Sequence, residues 1–196
     1  MFTGIIESSG TVTQIKTLGT NKVFTVRSGI SNQLKVDQSV AHDGVCLTVI
    51  AVYEDSHTVE AIEETLSKTT LGNWQLGTTV NLERCMPANG RFDGHIVQGH
   101  VDGTGICTQR MDKDGSWLFE FSFPQNPQHL TVSKGSICIN GVSLTVVDAT
   151  YNTFTVAIIP YTFQHTNFGQ LQVGQKVNLE FDIIGKYLAR LMELRG

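Results

Sequence analysis

The sequence predicts a mainly β protein: two tandem six-stranded antiparallel barrels of the Greek-key kind, followed by a C-terminal α-helix. Three observations lead there. Residues 39–49 read SVAHDGVCLTV and residues 136–146 read SICINGVSLTV, identical at six of eleven positions with a constant offset of 97. The offset persists, since LGTTVNLE at 76–83 returns as VGQKVNLE at 173–180, while GIIESSGTV at 4–12 matches GHVDGTGIC at 99–107 at an offset of 95. A period of this length is too long for a solenoid repeat and suits a duplicated small domain. Second, most segments are rich in Val, Ile, Thr, Phe and Tyr, and several alternate as half-buried strands do. Third, the last fifteen residues break the pattern with helical periodicity.

The strand candidates are 22–28, 46–53, 79–85, 117–123, 143–149, 154–159 and 176–181. Turn signals fall between them: Asp-Gly at 43–44, 93–94 and 102–103, DKDG at 112–115 and Asn-Gly at 140–141. The length of each copy suits about six strands, as in small closed barrels. ETLSKTTL at 64–71 and YTFQHTNF at 161–168 read as short helices or single turns with Thr and Ser available as caps. The expected organisation is an N-terminal barrel over 1–87, a linker over 88–94, a second barrel over 95–181 and a helical tail over 182–196. In the tail, Ile184, Tyr187, Leu188, Leu191, Met192 and Leu194 form one apolar stripe. The stripe must pack either on its own barrel or on the same helix of another subunit, because so short a helix is marginal alone.

Bulk properties narrow the function. The chain has 196 residues, 40% of them hydrophobic and 16% charged, with a formal net charge of -4. An acidic chain without a basic aromatic face is a poor nucleic-acid binder. There is no basic n-region at the start and no apolar run long enough to span a bilayer, so neither secretion nor membrane insertion is expected and the expected location is the cytoplasm. Cys46, Cys85, Cys107 and Cys138 show no CxxC spacing and read as reduced thiols, although spacing leaves a Cys46–Cys138 disulfide open. No Walker-type loop or intact GxGxxG is present.

Positions where the copies differ point to function. Cys46 and Ser143 occupy the same place, after the DGV and NGV turns, so one copy offers a thiol where the other offers a hydroxyl. His100 stands where the first copy has Ile5, an imidazole against an apolar side chain. An imidazole suits proton transfer near neutral pH. His42 and His95 read as structural. Thr48 with Thr145, and Thr65 with Thr162, are shared hydroxyls.

MFTGIIE at the start, DGVCLTV, NLER at 81–84, the GHxVxGHVDG stretch at 94–103 and NGVSLTV together resemble riboflavin synthase of the α-chain type, over essentially the whole chain. The resemblance implies a transferase that converts two molecules of 6,7-dimethyl-8-ribityllumazine into riboflavin and 5-amino-6-ribitylaminouracil by moving a four-carbon unit. It implies that no metal or redox cofactor is needed. It further implies a homotrimer held by the C-terminal helices, a site between the N-terminal barrel of one subunit and the C-terminal barrel of its neighbour, and association with lumazine synthase.

Residue by residue, the resemblance implies catalytic or site roles for Ser39, Cys46, His100, Ser143, Thr145 and Asp182. It implies that the ligand is lined in the first copy by Phe2, Gly4, Ile5, Ile6, Cys46, Leu47, Thr48, Glu60, Ala61, Ile62, Glu63, Glu64 and Thr65. In the second copy it implies Gly99, His100, Val101, Lys134, Val142, Ser143, Leu144, Val156, Ala157, Ile158, Ile159, Pro160, Tyr161 and Thr162. One departure stands out. Many relatives carry Asp where this chain has Asn140, whereas here the acid is Asp43 in the first copy. The competing expectation is a lumazine- or flavin-binding antenna protein without turnover. The retained Cys46, His100, Lys134 and Ser143 weigh against it.

Overall fold

A computed structural model describes residues 1–195; Gly196, the end of the expected tail, lies outside them. Strands β1 (Ser8–Leu18), β2 (Asn21–Ser28), β3 (Ser39–His42), β4 (Val45–Val52), β5 (Ser56–Ala61) and β6 (Thr79–Arg84) close a barrel in the order β1-β2-β5-β4-β3-β6. Strands β7 (Gly103–Asp112), β8 (Trp117–Ser122), β9 (Ser136–Ile139), β10 (Val142–Ala149), β11 (Thr153–Ile158) and β12 (Lys176–Phe181) close a second, in the order β10-β11-β8-β7-β12-β9. Helices α1 (Glu63–Lys68) and α2 (Pro160–His165) follow β5 and β11, and α3 (Ile183–Glu193) follows β12.

Alternation decides which side chains face inward. On β4, Val45, Leu47 and Val49 enter the barrel while Cys46, Thr48 and Ile50 face out. Equivalent register shifts interrupt β4 between Val49 and Ala51 and β10 between Val146 and Asp148. Matching shifts interrupt β1 and β7. Such bulges add the local twist that lets a six-stranded sheet curl shut.

The expected Asp-Gly and Asn-Gly hairpins form at Asp43–Gly44 and Asn140–Gly141, all four residues with positive φ, as two-residue turns of this twist require. Asp-Gly at 102–103 instead leads into β7 and makes no hairpin. The short helices also differ from expectation at their caps. Neither α1 nor α2 has a side-chain cap at its start. Thr69 and Thr166 instead accept from Leu71 N and Phe168 N, capping the single 3-10 turns that follow.

The two hairpin tips meet back to back. A Cβ on Gly44 would lie 2.8 Å from Gly141 N, and one on Gly141 would lie 2.8 Å from Gly44 N. Around them runs a duplicated polar network. Asp43 Oδ1 accepts from Asn81 N at 2.8 Å, and Asn140 Oδ1 accepts from Asn178 N at 2.8 Å. The Asn81 amide then donates to Asn140 O and the Asn178 amide to Asp43 O, each at 2.9 Å, stitching one barrel to the other. The "NLE" repeat thus supplies seam asparagines. Burial pushes the Asp43 carboxyl up to about 7, against the opposing pull of the Asn81 N–H and the Asn167 amide.

The cores are not equivalent. The second barrel is filled by aromatic rings, among them Phe119, Phe121, Phe154, Phe168 and Phe181. The first contains a buried chain instead: His42 Nε2 to His57 Nε2 at 2.9 Å, His57 Nδ1 to Ser31 Oγ at 2.9 Å, and Ser31 Oγ to Ser28 Oγ at 2.8 Å. His42 Nδ1 lies 3.1 Å from Val40 O, so both imidazoles are satisfied while neutral. Burial lowers His42 to about 3, with the charge of His57 adding to the effect, and lowers His57 to about 4. At the same offset of 97 the second barrel has Ile139 and Phe154 in these places.

Candidate functional site

Directly paired residues of neighbouring antiparallel strands share a face. Ser39 pairs with Thr48, and Ala41 with both Cys46 and Glu83, so one outer face of the first barrel carries Ser39, Cys46, Thr48 and Glu83. In the second barrel Ser136 pairs with Thr145, and Cys138 with both Ser143 and Glu180. That face carries Ser143, Thr145 and Glu180, and Asp182 follows at the end of β12.

Each face is completed by the segment leading into the other barrel. The two lead-in segments form an antiparallel bridge, with Phe2 N donating to Val97 O at 2.7 Å and Val97 N to Phe2 O at 3.2 Å. A buried carboxylate clamps each segment from its own barrel. Glu83 accepts from Thr3 N at 2.6 Å, Thr3 Oγ1 at 2.8 Å and Gly4 N at 2.9 Å. Glu180 accepts from Gln98 N at 2.6 Å and Gly99 N at 2.9 Å. Burial pushes both carboxyls up, and these N–H donors pull them back.

The clamped segments then cross over. Gly4 O accepts from Ser143 N at 2.7 Å, and Gly99 O accepts from Cys46 N at 2.8 Å. Ile6 packs against the core of the second barrel and Val101 against that of the first. Glycine is required at both crossings. φ is +79° at each, and an added Cβ would come within 2.5 Å of Ser143 Cβ at Gly4 and 2.6 Å of Cys46 Cβ at Gly99. Phe2 is fully buried beneath this crossing, and its ring would meet a Cβ on Gly99.

On the first barrel the crossing walls a cavity of about 210 Å³ lined by Val45, Cys46, Glu64, Thr65, Lys68, Thr69, Gly99, His100 and Val101. Cys46, Thr65, Glu64 and His100, all named above from the resemblance, therefore line one cavity. Glu64 is held by Lys68 at 2.8 Å across one helical turn. All four cysteines are free thiols. Burial raises Cys46, an effect that nearby Ser39 only partly offsets, so it is a thiol and not a thiolate at neutral pH.

The matching face of the second barrel presents Ser143 beneath Gly4, with Thr162 on α2 as the counterpart of Thr65. Its symmetry with the first is broken by His95, whose Nδ1 lies 2.7 Å from Ser143 Oγ. Burial lowers His95, while the nearby charge of Asp182 raises it. Asp182 also accepts from Ile184 N at 2.9 Å and so caps α3. His100, carried on the segment that leads into the second barrel, thus lies over the face of the first barrel, and Ser143 lies on the face of the second.

Strand alternation turns several of the expected lining residues inward. The side chains of Leu47, Ala61, Val142, Val156 and Ile158 are buried in the barrel interiors, so only their backbone is available to a ligand. Glu60 is engaged by Asn21 Nδ2 at 2.8 Å. Ala157, Ile159, Pro160 and Tyr161 are exposed around the start of α2, Ile62 and Glu63 around the start of α1, and Lys134 sits in a left-handed turn whose N–H donates to Val146 O. Asp43 and Asn140 belong to the seam, so the exchanged Asp is accounted for by packing. Glu83, Glu180, Lys68 and the contact of His95 with Ser143 were missed by sequence reasoning. The shared Glu of "NLE" was the available signal for the first two.

Residues 3–85 and 98–182 each match the lumazine binding domain family. The riboflavin synthase of Bacillus subtilis (strain 168) is 41% identical over 193 residues, covering 98% of this chain and 90% of that protein. That of Actinobacillus pleuropneumoniae is 42% identical with the same coverage, and that of Mycobacterium bovis is 39% identical over 201 residues and 100% of both chains. Among solved structures, LumP complexed with riboflavin superposes with a TM-score of 0.86 at 22% identity, covering 93% of this chain and 100% of that one. LumP complexed with 6,7-dimethyl-8-(1'-D-ribityl) lumazine gives 0.83 at 21% identity, covering 92% and 98%. At that identity the likeness speaks to the fold alone.

Proposed function

The chain belongs to the riboflavin synthase family, whose lumazine binding domain it carries twice, and from that premise we propose that it is itself a riboflavin synthase. It dismutates two molecules of 6,7-dimethyl-8-ribityllumazine into riboflavin and 5-amino-6-ribitylaminouracil. The observation that carries this reading is the near-full-length identity of 39–42% to curated riboflavin synthases. The geometry supports it. A reaction between two copies of one substrate calls for two related pockets with unlike chemistry, and the chain has two related faces, one with Cys46 and His100, the other with Ser143 and His95.

Within this reading, the hydroxyls of Thr65 and Thr48 on one barrel and of Thr162 and Thr145 on the other bond the ribityl chains and ring carbonyls. His100 moves a proton at the lumazine in its own pocket. Cys46, being a thiol, orients that ring as a hydrogen-bonding group. Holding both rings in register replaces a bimolecular encounter with an oriented one, worth up to about 7–11 kcal/mol.

A composite site between unlike barrels of neighbouring subunits requires a head-to-tail arrangement that closes as a ring, here a homotrimer. The exposed apolar stripe of α3 supports this. Tyr187 is 68% exposed, Met192 74% and Leu191 53%, so the helix does not bury them on its own barrel. Among the described residues no helix is long and apolar enough to cross a membrane.

The test is to mix purified protein with the lumazine, add no cofactor, and follow the riboflavin absorbance beside a His100→Ala variant. Riboflavin from the wild type, slowed at least tenfold in the variant, is expected. Lumazine binding without turnover would overturn the reading in favour of an antenna protein.

A further inference from the structure

Among the described residues, one of the two faces holds an imidazole hydrogen-bonded to a hydroxyl of the site. His95 reaches Ser143 from the connecting segment, and Gly94 beside it is pressed so closely that an added Cβ would lie 2.8 Å from Ser143 Oγ and would overlap Thr3 O. His95 N donates to Thr3 O at 3.1 Å, which fixes the backbone that carries the ring. Four groups therefore surround one hydroxyl: Gly4, Gly94, His95 and the strand itself. Among the described residues, the first barrel shows no such contact to Cys46. There Cys46 shares its face with Ser39 and Thr48 instead.

The charges facing His95 are few. Asp182, at the head of α3, lies near enough for its charge to act on the ring. Ser143 approaches from β10, and Thr3 from the N-terminal segment touches only its backbone. A second difference between the faces strengthens the first. At the offset of 97, Asp182 takes the place that Cys85 holds in the first barrel. Hydroxyl, imidazole and carboxylate thus lie together on one face, and on the other the thiols of Cys46 and Cys85 stand where the hydroxyl and the carboxylate do.

Resting on the reading as a riboflavin synthase, we propose that His95 is the positioning residue that makes Ser143 a proton acceptor, so that the lumazine seated on the second barrel is the one that loses a proton from its 7-methyl group. A neutral imidazole accepting at Nδ1 turns the hydroxyl proton toward itself and leaves the oxygen lone pairs facing the ligand. In the step, the methyl C–H bond breaks and its proton goes to Ser143 Oγ as the hydroxyl proton passes to His95 Nδ1. The electron pair left on carbon is delocalised into the heterocycle, and no oxidant or reductant takes part. The imidazolium so formed faces Asp182, which stabilises it. His100 then serves the other lumazine, on the first barrel. The asymmetry of the duplicated chain separates the two substrates by role.

The test uses the intact oligomer and three variants: His95→Ala, His95→Gln and Ser143→Ala. General-base assistance of this kind contributes on the order of 100-fold or more, so His95→Ala should lower kcat about 100-fold while leaving KM within about threefold. Gln keeps a hydrogen-bond acceptor near Ser143 but takes up no proton, so it should restore folding and binding without restoring kcat, and the acid limb of the wild-type pH profile should vanish. Ser143→Ala added to His95→Ala should cost almost nothing further, because the two act as a unit. Full rescue by Gln with an unchanged pH profile, or additive losses in the double variant, would overturn the proposal and leave His95 a packing residue. A readout independent of turnover is the 15N spectrum of the protein: His95 should be the Nε2–H tautomer in the wild type and should titrate differently in Ser143→Ala. If wild-type protein makes no riboflavin, the synthase reading fails while the spectrum still decides the His95–Ser143 contact; a spectrum unaffected by Ser143→Ala would overturn that contact.

Discussion

Removing the buried His42–His57 pair, by the substitutions His42→Ile and His57→Phe that copy the second barrel, should remove most of the acid sensitivity specific to the first barrel. Both histidines have folded pKa values below the ordinary 6.5, at about 3 and about 4. Such a group contributes stability that is complete above pH 6.5 and is lost as pH falls, because the unfolded chain binds the proton first. At pH 5 the unfolded imidazole is about 1.5 units below its pKa while the folded ones remain essentially neutral, so each costs about 2 kcal/mol relative to pH 7, or about 4 kcal/mol for the pair. That is a large part of a typical domain stability of about 5–15 kcal/mol.

Other groups titrate in the same window with the opposite sign. Asp43, raised to about 7 from 3.8, gains stability for the fold as pH falls between those values. The informative quantity is therefore the difference between wild type and variant at each pH, from which Asp43 cancels. The assay is urea unfolding at pH 7 and pH 5 in a Trp117→Phe background. It is followed by the fluorescence of Trp74, which packs edge-on against Phe24 at 5.1 Å in the first core. The difference should shift by about 4 kcal/mol between the two pH values. A shift below about 1 kcal/mol would refute the reasoning, since it would mean that the pair binds protons as readily folded as unfolded.

Three further outcomes are expected. Gly99→Ala combines a left-handed φ with a Cβ overlapping Cys46, which should cost about 2–4 kcal/mol in stability and abolish lumazine binding at the first barrel, read by ligand fluorescence titration and thermal melting. Leu191→Asp, on the exposed stripe of α3, should dissociate the oligomer in sedimentation velocity and lower activity in parallel, and a variant that stays assembled would remove the helix from that role. Asp43→Asn should change stability by less than about 1 kcal/mol and leave kcat within about threefold, because Asn140 already makes the equivalent bond with an amide oxygen; a loss beyond 100-fold would restore a chemical role to this carboxyl.

The repeat made much of this legible. Long apolar alternating strands such as KVFTVRS and FTVAII could be read directly, and the DG and NG signals marked the two hairpins that meet at the seam. The four-residue strands β3 and β9 are too short to show a period, and β1 and β7 are bulged and largely polar outward, so none of these stood out. The equivalence of Cys46 and Ser143 was visible as a pattern. What surrounds them was not, because it depends on long-range crossing. Gly4 meets Ser143, and Gly99 meets Cys46, only after each barrel has closed and each lead-in segment has been caught by Glu83 or Glu180. From sequence alone His95 reads as structural for the same reason: its partner lies 48 residues away, on a strand whose outward face the local sequence does not tie to the connecting segment.

The most direct test of the central claim, that two unlike lumazine sites act on one another, is a stoichiometry. Purified protein without added cofactor should consume two molecules of 6,7-dimethyl-8-ribityllumazine for every riboflavin formed and release one 5-amino-6-ribitylaminouracil, quantified by chromatography over a full time course. A fixed two-to-one ratio is the predicted result. Bound lumazine recovered unchanged, with no riboflavin at any protein concentration, would contradict it.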